Sequence, residues 1–228
     1  MASNQQIISD LRLIMETDHS VDLLNLFKGV PFICKAKIHS IDGDVVQVKT
    51  PDPAIVCVRN EKQTRVLGSD YFEPTMAQVQ SVDIAAGLVT LSNFSYLGTK
   101  LGERMIVRVE PKDTIEVVLD NEGYKSKGHL ADLSISGLGA RLGSAEYTAM
   151  LKPGTSLKVT IHFPTGPITL PGTVLSAAKT GEYYRLSIRF GQNGPEKRTI
   201  FHYLIDRRGE IENELRAAYQ VAQSQAPS

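Results

Sequence analysis

Hydrophobic residues near the N-terminus recur at the spacing of an α-helix. Ile7, Leu11 and Ile14 are separated by four and three positions, so one face of a helix would carry all of them. Ser20 suits the N-cap of a second helix, because an acidic first turn follows it and Gly29 stands where that helix would end. The chain is therefore predicted to begin with two short helices that cover a sheet, and a partner-binding role for the first helix stays open.

Beyond these helices the pattern changes to a period of two, which is typical of half-buried strands. Apolar and polar residues alternate from Phe32 to Ile38, and Asp42-Gly43 suits a tight hairpin turn. Further β-rich runs cover residues 45–48, 54–58, 77–82 and 88–91. The pattern predicts a small antiparallel barrel or sandwich within residues 1–97, followed by a linker at residues 98–103.

Six more β-type runs follow the linker, separated by turns rich in Pro, Gly, Asp and Asn. They cover residues 105–109, 115–119, 138–142, 157–163, 168–175 and 184–190. Short strands in this number favour a closed barrel, since closure removes exposed sheet edges. A helical stripe from Ile200 to Leu215 then predicts a C-terminal helix that closes a domain of residues 104–222. The predicted fold is mainly β: two small antiparallel β-barrels joined by a short linker, with N-terminal helices and a C-terminal helix.

Composition and charge narrow the classes of function. Of the 228 residues, 42% are hydrophobic and 22% are charged, as in ordinary globular proteins. Lys+Arg and Asp+Glu both number 25, so the chain lacks the positive field of sequence-independent nucleic-acid binders. Its apolar runs are far shorter than the ~20 residues that span a bilayer, and no secretory signal is visible. We therefore expect a cytoplasmic protein that neither spans a membrane nor binds nucleic acid.

The sequence carries none of the common catalytic or metal-binding signatures. Its five histidines and two cysteines follow no metal-ligand spacing. Cys34 and Cys57 lie in apolar segments, which predicts buried thiols. The sequence contains no nucleophile elbow, no Walker loop and no dinucleotide-binding glycine motif. We expect no catalytic residues, no metal and no cofactor.

Two short motifs stand out at the start of the second predicted domain. Arg104-Met-Ile-Val-Arg108 reads R-x-x-x-R, and Asp132-Leu-Ser134-Ile-Ser-Gly137 reads [DN]-x-S-x-x-G. In this order and spacing they resemble the PilZ family of cyclic di-GMP receptors, and the resemblance extends over roughly residues 100–215.

Both motifs also have a second match in the chain. Arg185 and Arg189 form another R-x-x-x-R, a pattern that chance produces readily. Asn93-Phe-Ser95-Tyr-Leu-Gly98 repeats the other motif, but it precedes every candidate arginine pair and lies in the stretch from Asn93 to Gly102, which has no clear period and is interpreted as the linker region. Neither of these matches is assigned to the site.

The resemblance implies a binding site for cyclic di-GMP. The implied ligand residues are Arg104, Arg108, Asp132, Ser134 and Gly137. The planar fork of arginine can donate to a phosphate or to guanine O6 and N7. The carboxylate can accept from guanine N1–H and N2–H, the hydroxyl can donate to an oxygen of the ligand, and the glycine permits close approach.

Structural explanations of the same residues stay open. The two arginines would then belong to a solvated surface, and Asp132 and Ser134 would cap a turn. Arg141 stands near the same edge and is interpreted as surface charge, with an assisting role as the alternative. Met105, Ile106 and Val107 between the arginines are apolar, which departs from the family and predicts a less mobile segment.

The order of the predicted domains is similar to the YcgR-like, two-domain branch of the family. That resemblance implies an effector whose domains rearrange on ligand binding to regulate a protein partner, such as the flagellar motor or an exopolysaccharide machine. One alternative is a degenerate PilZ scaffold that binds proteins without nucleotide, which the apolar residues between the arginines favour. Another is a flavin-binding first barrel. Whether the chain forms a homodimer stays open.

Overall fold

The computed structural model of the chain describes residues 2–17, 20–68, 72–97, 107–146, 151–191 and 194–225. The chain divides into two compact units, one of residues 1–105 and 211–228 and the other of residues 106–210. Each unit contains a closed antiparallel barrel of six strands. The prediction of a mainly β chain with two barrels is confirmed.

The first barrel follows the helix α1 (Ala2–Glu16), which buries Ile7, Leu11 and Ile14 as predicted. Its strands are β1 (Ser20–Phe27), β2 (Val30–Asp42), β3 (Val45–Lys49), β4 (Gln63–Leu67), β5 (Thr75–Asp83) and β6 (Leu88–Tyr96), in the order β1-β2-β3-β6-β5-β4 around the barrel. The predicted hairpin turn is confirmed between β2 and β3, where Gly43 adopts a φ of 57°. Glycine reaches this left-handed conformation without steric strain.

The prediction of a second N-terminal helix is wrong, because residues 20–27 form strand β1. Val21 and Leu23 face the core at a spacing of two. β1 pairs with β2 along its whole length and, at residues 22–24, with β4 on its other side, so that partners on both sides supply backbone hydrogen bonds. Gly29, predicted to end a helix, lies instead between β1 and β2 with a φ of 80°. Pairing with distant strands outweighs the local helix signals.

The prediction of a β run at residues 54–58 is also wrong, because residues 55–58 lie in the short helix α2 (Ile55–Asn60) and Ala54 is its N-cap. Its first four residues are all buried, so no alternation of polar and apolar positions marks a helical face. Asp52 closes the turn that leads into the N-cap residue Ala54: its Oδ1 accepts a hydrogen bond from Ala54 N–H at 2.8 Å, and its carbonyl accepts one from Ile55 N–H at 3.0 Å.

Both cysteines lie in the core of the first barrel, as predicted. Cys34 is 1% exposed and Cys57 is fully buried. Burial raises the pKa of the Cys34 thiol to about 11 and that of Cys57 to about 12. The two thiols are therefore neutral at physiological pH and pack as small hydrophobic groups.

The second barrel contains a strand that the hydrophobic pattern did not reveal. Its strands are β7 (Glu116–Asn121), β8 (Tyr124–Ser134), β9 (Gly137–Gly143), β10 (Ser156–Phe163), β11 (Gly166–Thr180) and β12 (Tyr183–Phe190), in the order β10-β11-β12-β9-β8-β7. Buried positions of β8 include Ser126 and Gly128, which carry no hydrophobic signal. Of the strand predicted at residues 105–109, residues 105 and 106 lie outside the described ranges, and Val109 forms an isolated bridge.

The predicted C-terminal helix is confirmed as α3 (Glu196–Ser224). Its residues up to Glu210 belong to the second unit, and those from Ile211 onward belong to the first. Leu215 is part of the first barrel's core, and Tyr219 Oη donates to the Pro51 carbonyl at 3.3 Å. The predicted domain of residues 104–222 includes this segment. The limits 1–97 and 104–222 remain a prediction, and the packing groups the end of the helix with the first barrel.

Candidate ligand-binding site

A backbone bridge brings Arg108 next to the end of strand β8. Val109 N–H donates to the Leu133 carbonyl and Leu133 N–H donates to the Val109 carbonyl, both at 2.9 Å. Both of these side chains are fully buried. Since neighbouring side chains in extended backbone point in opposite directions, Arg108 and Asp132 point to the outer face of the barrel. The bridge therefore brings the arginine of one motif to the acid of the other.

A β-bulge directs the Asp132 side chain. Leu130 lies opposite Ala140, whereas Asp132 lies opposite Gly139, so one additional residue stands in β8 at this point. Bulges of this kind reorient side chains and are frequent beside functional sites. A Cβ atom added at residue 139 would stand 2.5 Å from Asp132 Oδ2, which is closer than packed atoms approach. The carboxylate thus fills the space that glycine leaves empty.

Guanidinium groups contact both oxygens of the Asp132 carboxylate. Arg108 Nη1 lies 3.4 Å from Oδ1, and Arg185 Nη2 donates to Oδ2. The Asp132 side chain is 8% exposed, whereas those of Arg108 and Arg185 are 55% and 44% exposed. An ionised carboxylate with so little access to water needs such partners. The acid lies beneath two accessible cations that face solvent.

Ser134 and Gly137 form the turn that joins β8 to β9. Ser134 Oγ donates to the Gly137 carbonyl at 3.0 Å and lies 3.3 Å from Ser136 Oγ. A Cβ atom at Gly137 would stand 2.2 Å from the carbonyl oxygen of Ile188 in β12. Close contact between strands therefore requires glycine here. Both residues have a structural task, and their contact with a ligand remains a prediction.

Comparison with known proteins places the second barrel in a family. Residues 103–206 match the model of the PilZ domain. The second barrel is a PilZ domain. No curated protein matches the sequence of the chain.

Several solved structures are similar to most of the chain. The c-di-GMP complex of MrkH from K. pneumonia is 16% identical, with a TM-score of 0.50 over 94% of this chain and 98% of that one. E. coli YcgR in complex with c-di-GMP is 15% identical, with a TM-score of 0.46 over 94% and 95% of the two chains. At this level of identity, the likeness to MrkH concerns the fold alone.

The PilZ domain brings four of the five predicted ligand residues to one end of β8 and β9. Arg108 contacts Asp132 directly, while Ser134 and Gly137 follow in the adjoining turn. Arg104 lies outside the described residues, as do Met105 and Ile106. The Asn93 and Ser95 of the second [DN]-x-S-x-x-G match lie in strand β6, although that stretch was expected to be a linker.

Sequence reasoning did not assign Arg185 to the site. Arg185 lies in β12 opposite Arg141 of β9, and the Arg141 guanidinium stands 5.6 Å from the centre of the Tyr183 ring. Alternation along β12 places Arg185 and Arg189 on the exposed face. That signal is present in the sequence, but the contact with Asp132 depends on strand order and register.

The charged cluster around Asp132 does not coincide with a large cavity. A cavity of about 690 Å³ in the PilZ domain is lined by His162, His202 and Tyr203, among others, and none of the four predicted ligand residues that the structure describes borders it. Burial raises the pKa of Tyr203 there to about 12. A smaller cleft of about 360 Å³ is bordered by Ala131 and Arg141, and Ala131 is the chain neighbour of Asp132. We locate the candidate site by its charges.

The described part of the chain shows neither a cluster of metal ligands nor a membrane-spanning helix. Within it, no group of three His, Cys, Asp or Glu side chains is arranged to hold a metal ion. None of the described helices combines the length and the apolar character needed to cross a bilayer.

Proposed function

We propose that the protein is a cytoplasmic receptor for cyclic di-GMP that has no catalytic activity of its own. The proposed ligand residues are Arg104, Arg108, Asp132, Ser134 and Gly137. On ligand binding the domains rearrange, and the new arrangement regulates a protein partner of the motility or exopolysaccharide machinery. The similar MrkH and YcgR structures are themselves complexes with c-di-GMP.

The observation that carries the proposal is the contact between Arg108 and Asp132 on the outer face of the PilZ domain. The two motifs are distant in sequence, and their meeting supplies the groups that this ligand needs. Guanidinium forks bind phosphate and the Hoogsteen edge of guanine. A carboxylate binds the opposite, hydrogen-donating edge of the base.

The balance of charge around Asp132 supports an anionic ligand. Arg141, Arg185 and Arg189 occupy exposed positions of β9 and β12, and Arg108 adds a fourth guanidinium. Asp132 compensates the charge of Arg185, so that Arg108, Arg141 and Arg189 leave an excess of positive charge on the face. Cyclic di-GMP carries two negative phosphates and would reduce the mutual repulsion of the arginines.

The first experiment is calorimetric titration of the full chain with cyclic di-GMP. Arg108→Ala is expected to weaken binding by about 2 kcal/mol, because a charge-assisted contact to the ligand is lost. Lys158→Ala is the matched control: this exposed lysine lies in β10, three strands from β9 in either direction around the barrel. Equal affinity of the Arg108→Ala and Lys158→Ala variants would refute the assigned site.

A PilZ scaffold that binds a protein rather than a nucleotide is the second candidate. It is favoured by the low exposure of Asp132 and by the arginines that contact both of its oxygens, together with the apolar residues between Arg104 and Arg108. The same titration separates the two candidates. If the wild-type chain releases no heat of binding and unlabelled cyclic di-GMP does not compete with the labelled ligand for it, the scaffold is favoured.

A further inference from the structure

Arg185 donates to the Oδ2 oxygen of the Asp132 carboxylate, whereas Arg108 contacts the other oxygen, Oδ1. Arg185 belongs to the second R-x-x-x-R match, and the proposed ligand site does not include it. Its side chain is 44% exposed, so solvent alone would accommodate the charge. The guanidinium nevertheless lies against the most enclosed acid on this face, and that arrangement needs a reason.

The register of three neighbouring strands explains how Arg185 reaches Asp132. Asp132 of β8 lies opposite Gly139 of β9, which in turn lies opposite Ser187 of β12. Arg185 precedes Ser187 by two positions and therefore points to the same face. Its side chain crosses β9 diagonally, and a Cβ atom at Gly139 would stand 3.3 Å from its Nη2. The bare backbone of Gly139 leaves the path open.

The cross-strand pairing shows why this carboxylate is the partner. Arg185 lies directly opposite Arg141, and like charges in that position repel. Arg141 turns toward the Tyr183 ring, and Arg185 turns toward Asp132. The two cations thereby separate, and one oxygen of the carboxylate is fixed.

We propose that Arg185 is a positioning residue of the ligand site, which holds the Asp132 carboxylate across the gap at Gly139 so that it can read a guanine edge. The inference rests on the proposed function. Arg185 acts on the ligand through Asp132 and makes no contact of its own with the phosphates. Loss of Arg185 therefore removes the same interaction that loss of Asp132 removes.

A double-mutant cycle tests this dependence by calorimetry with cyclic di-GMP. Arg185→Ala is expected to weaken binding about tenfold in the wild-type chain and less than about twofold in the Asp132→Asn background. Lys158→Ala serves as the control with one lost surface cation. A tenfold loss in both backgrounds would mean that Arg185 binds the ligand directly, and no loss in the wild-type background would mean that it does nothing there. Either result overturns the inference.

Selectivity provides a readout that a merely structural residue would not change. Adenine has no N1–H donor, so an acid that reads guanine discriminates against cyclic di-AMP. Arg185→Ala is expected to reduce the preference for cyclic di-GMP over cyclic di-AMP by the same factor as its affinity. An unchanged preference contradicts a role through Asp132.

The Gly139→Ala variant tests whether the carboxylate needs the space beside the Gly139 backbone, because it leaves every charged side chain in place. The new Cβ would displace the carboxylate, so this variant is expected to lose affinity as Arg185→Ala does. Gly143→Ala, in the same strand with no atom near the added Cβ, is its control. Thermal unfolding verifies the fold of each variant, and full affinity of a folded Gly139→Ala protein would overturn the inference. If the wild-type chain binds no cyclic di-GMP, the proposed function fails first, and this inference fails with it.

Discussion

Individual glycines determine how closely the strands approach one another around the candidate site. Gly137 brings the β8–β9 turn against β12, and Gly139 makes room for the Asp132 carboxylate. Neither residue has a positive φ, so steric space rather than backbone conformation requires glycine at both. The absence of a side chain is therefore as much a part of the site as its charges.

The steric role of Gly137 is tested by Gly137→Ala. The added Cβ would stand 2.2 Å from the Ile188 carbonyl, so β9 and β12 must separate locally. Overpacking of this kind costs roughly 1–3 kcal/mol of unfolding free energy, to be measured by denaturant titration. Gly143→Ala in the same strand meets no atom within 4 Å and should lie within about 0.5 kcal/mol of the wild type. Equal stability of the two variants would contradict this account.

The buried thiols predict a specific alkaline loss of stability. Burial in the fold raises the pKa of Cys34 from 9.0 to about 11 and that of Cys57 to about 12. The folded state therefore holds these protons more tightly than the unfolded chain. Their contribution to stability is complete below pH 9 and is lost as the pH rises from 9 toward 12.

Denaturant titrations should show that the free energy of unfolding falls more between pH 8 and pH 10 for the wild type than for the Cys34→Ala/Cys57→Ala double variant, which lacks both thiols. A thiol reagent at pH 8 should label the native chain far more slowly than the denatured chain. Rapid labelling of the native protein, or equal alkaline declines, would contradict the assigned burial.

The sequence indicated some site residues better than others, and the reason is physical. Arg108 and Asp132 belong to motifs whose order could be read directly, and one backbone bridge at Val109 brings them together. Arg185 and Gly139 act through strand register and through the order of β8, β9 and β12 in the barrel. No local pattern contains that information. The ligand contacts themselves stay a prediction.

At the scale of elements, hydrophobic periodicity was reliable where one face of an element is buried. It predicted α1, the β2–β3 hairpin and most of the second barrel. It failed for α2, whose first four residues are all buried, and for β8, whose buried positions include small or polar residues. For β1, a helix-compatible cluster of apolar residues takes the strand form because partners on both sides supply hydrogen bonds.

The last part of α3 is expected to stabilise the first barrel. Leu215 is 4% exposed and belongs to that barrel's core. Leu215→Ala should reduce the unfolding free energy of this unit by about 2–4 kcal/mol, since it leaves a cavity among packed side chains. Scanning calorimetry measures the effect, with a substitution at an exposed position five residues further along α3, Gln220→Ala, as the control. If both variants unfold at the wild-type temperature, the helix contributes nothing to that core.

At the scale of the whole molecule, the chain passes between the two units twice, once between residues 105 and 106 and once within α3 between residues 210 and 211. Arg104 and Arg108 stand on opposite sides of the first of these points in sequence. A ligand that needs both residues favours the arrangement of units in which both reach it. A contact worth about 2 kcal/mol in only one arrangement changes the ratio of arrangements about 30-fold. Affinity and domain rearrangement would then have one cause.

Energy transfer between the units tests that coupling. Dyes attached through Lys62→Cys and Lys158→Cys report on exposed positions of the two barrels, and the buried native thiols should not compete for the label. Saturating cyclic di-GMP is expected to change the transfer efficiency of this labelled chain. The Arg104→Ala variant should bind cyclic di-GMP more weakly. Even at saturation its transfer efficiency should change by less than about half as much, because the contact that favours one arrangement of the units is lost.

Asp132→Ala should abolish the change over the same range of ligand concentration, because this variant lacks the carboxylate proposed to read the guanine base. If the Arg104→Ala chain shows the full change in transfer efficiency, the rearrangement does not depend on Arg104. A further outcome is that the labelled chain without further substitutions binds the ligand, as calorimetry would show, with no change in transfer efficiency. This outcome would mean that the receptor signals without moving its domains. In that case its output would have to arise on the ligand-covered face of the PilZ domain itself, where the bound anion replaces an excess of positive charge by a neutral surface.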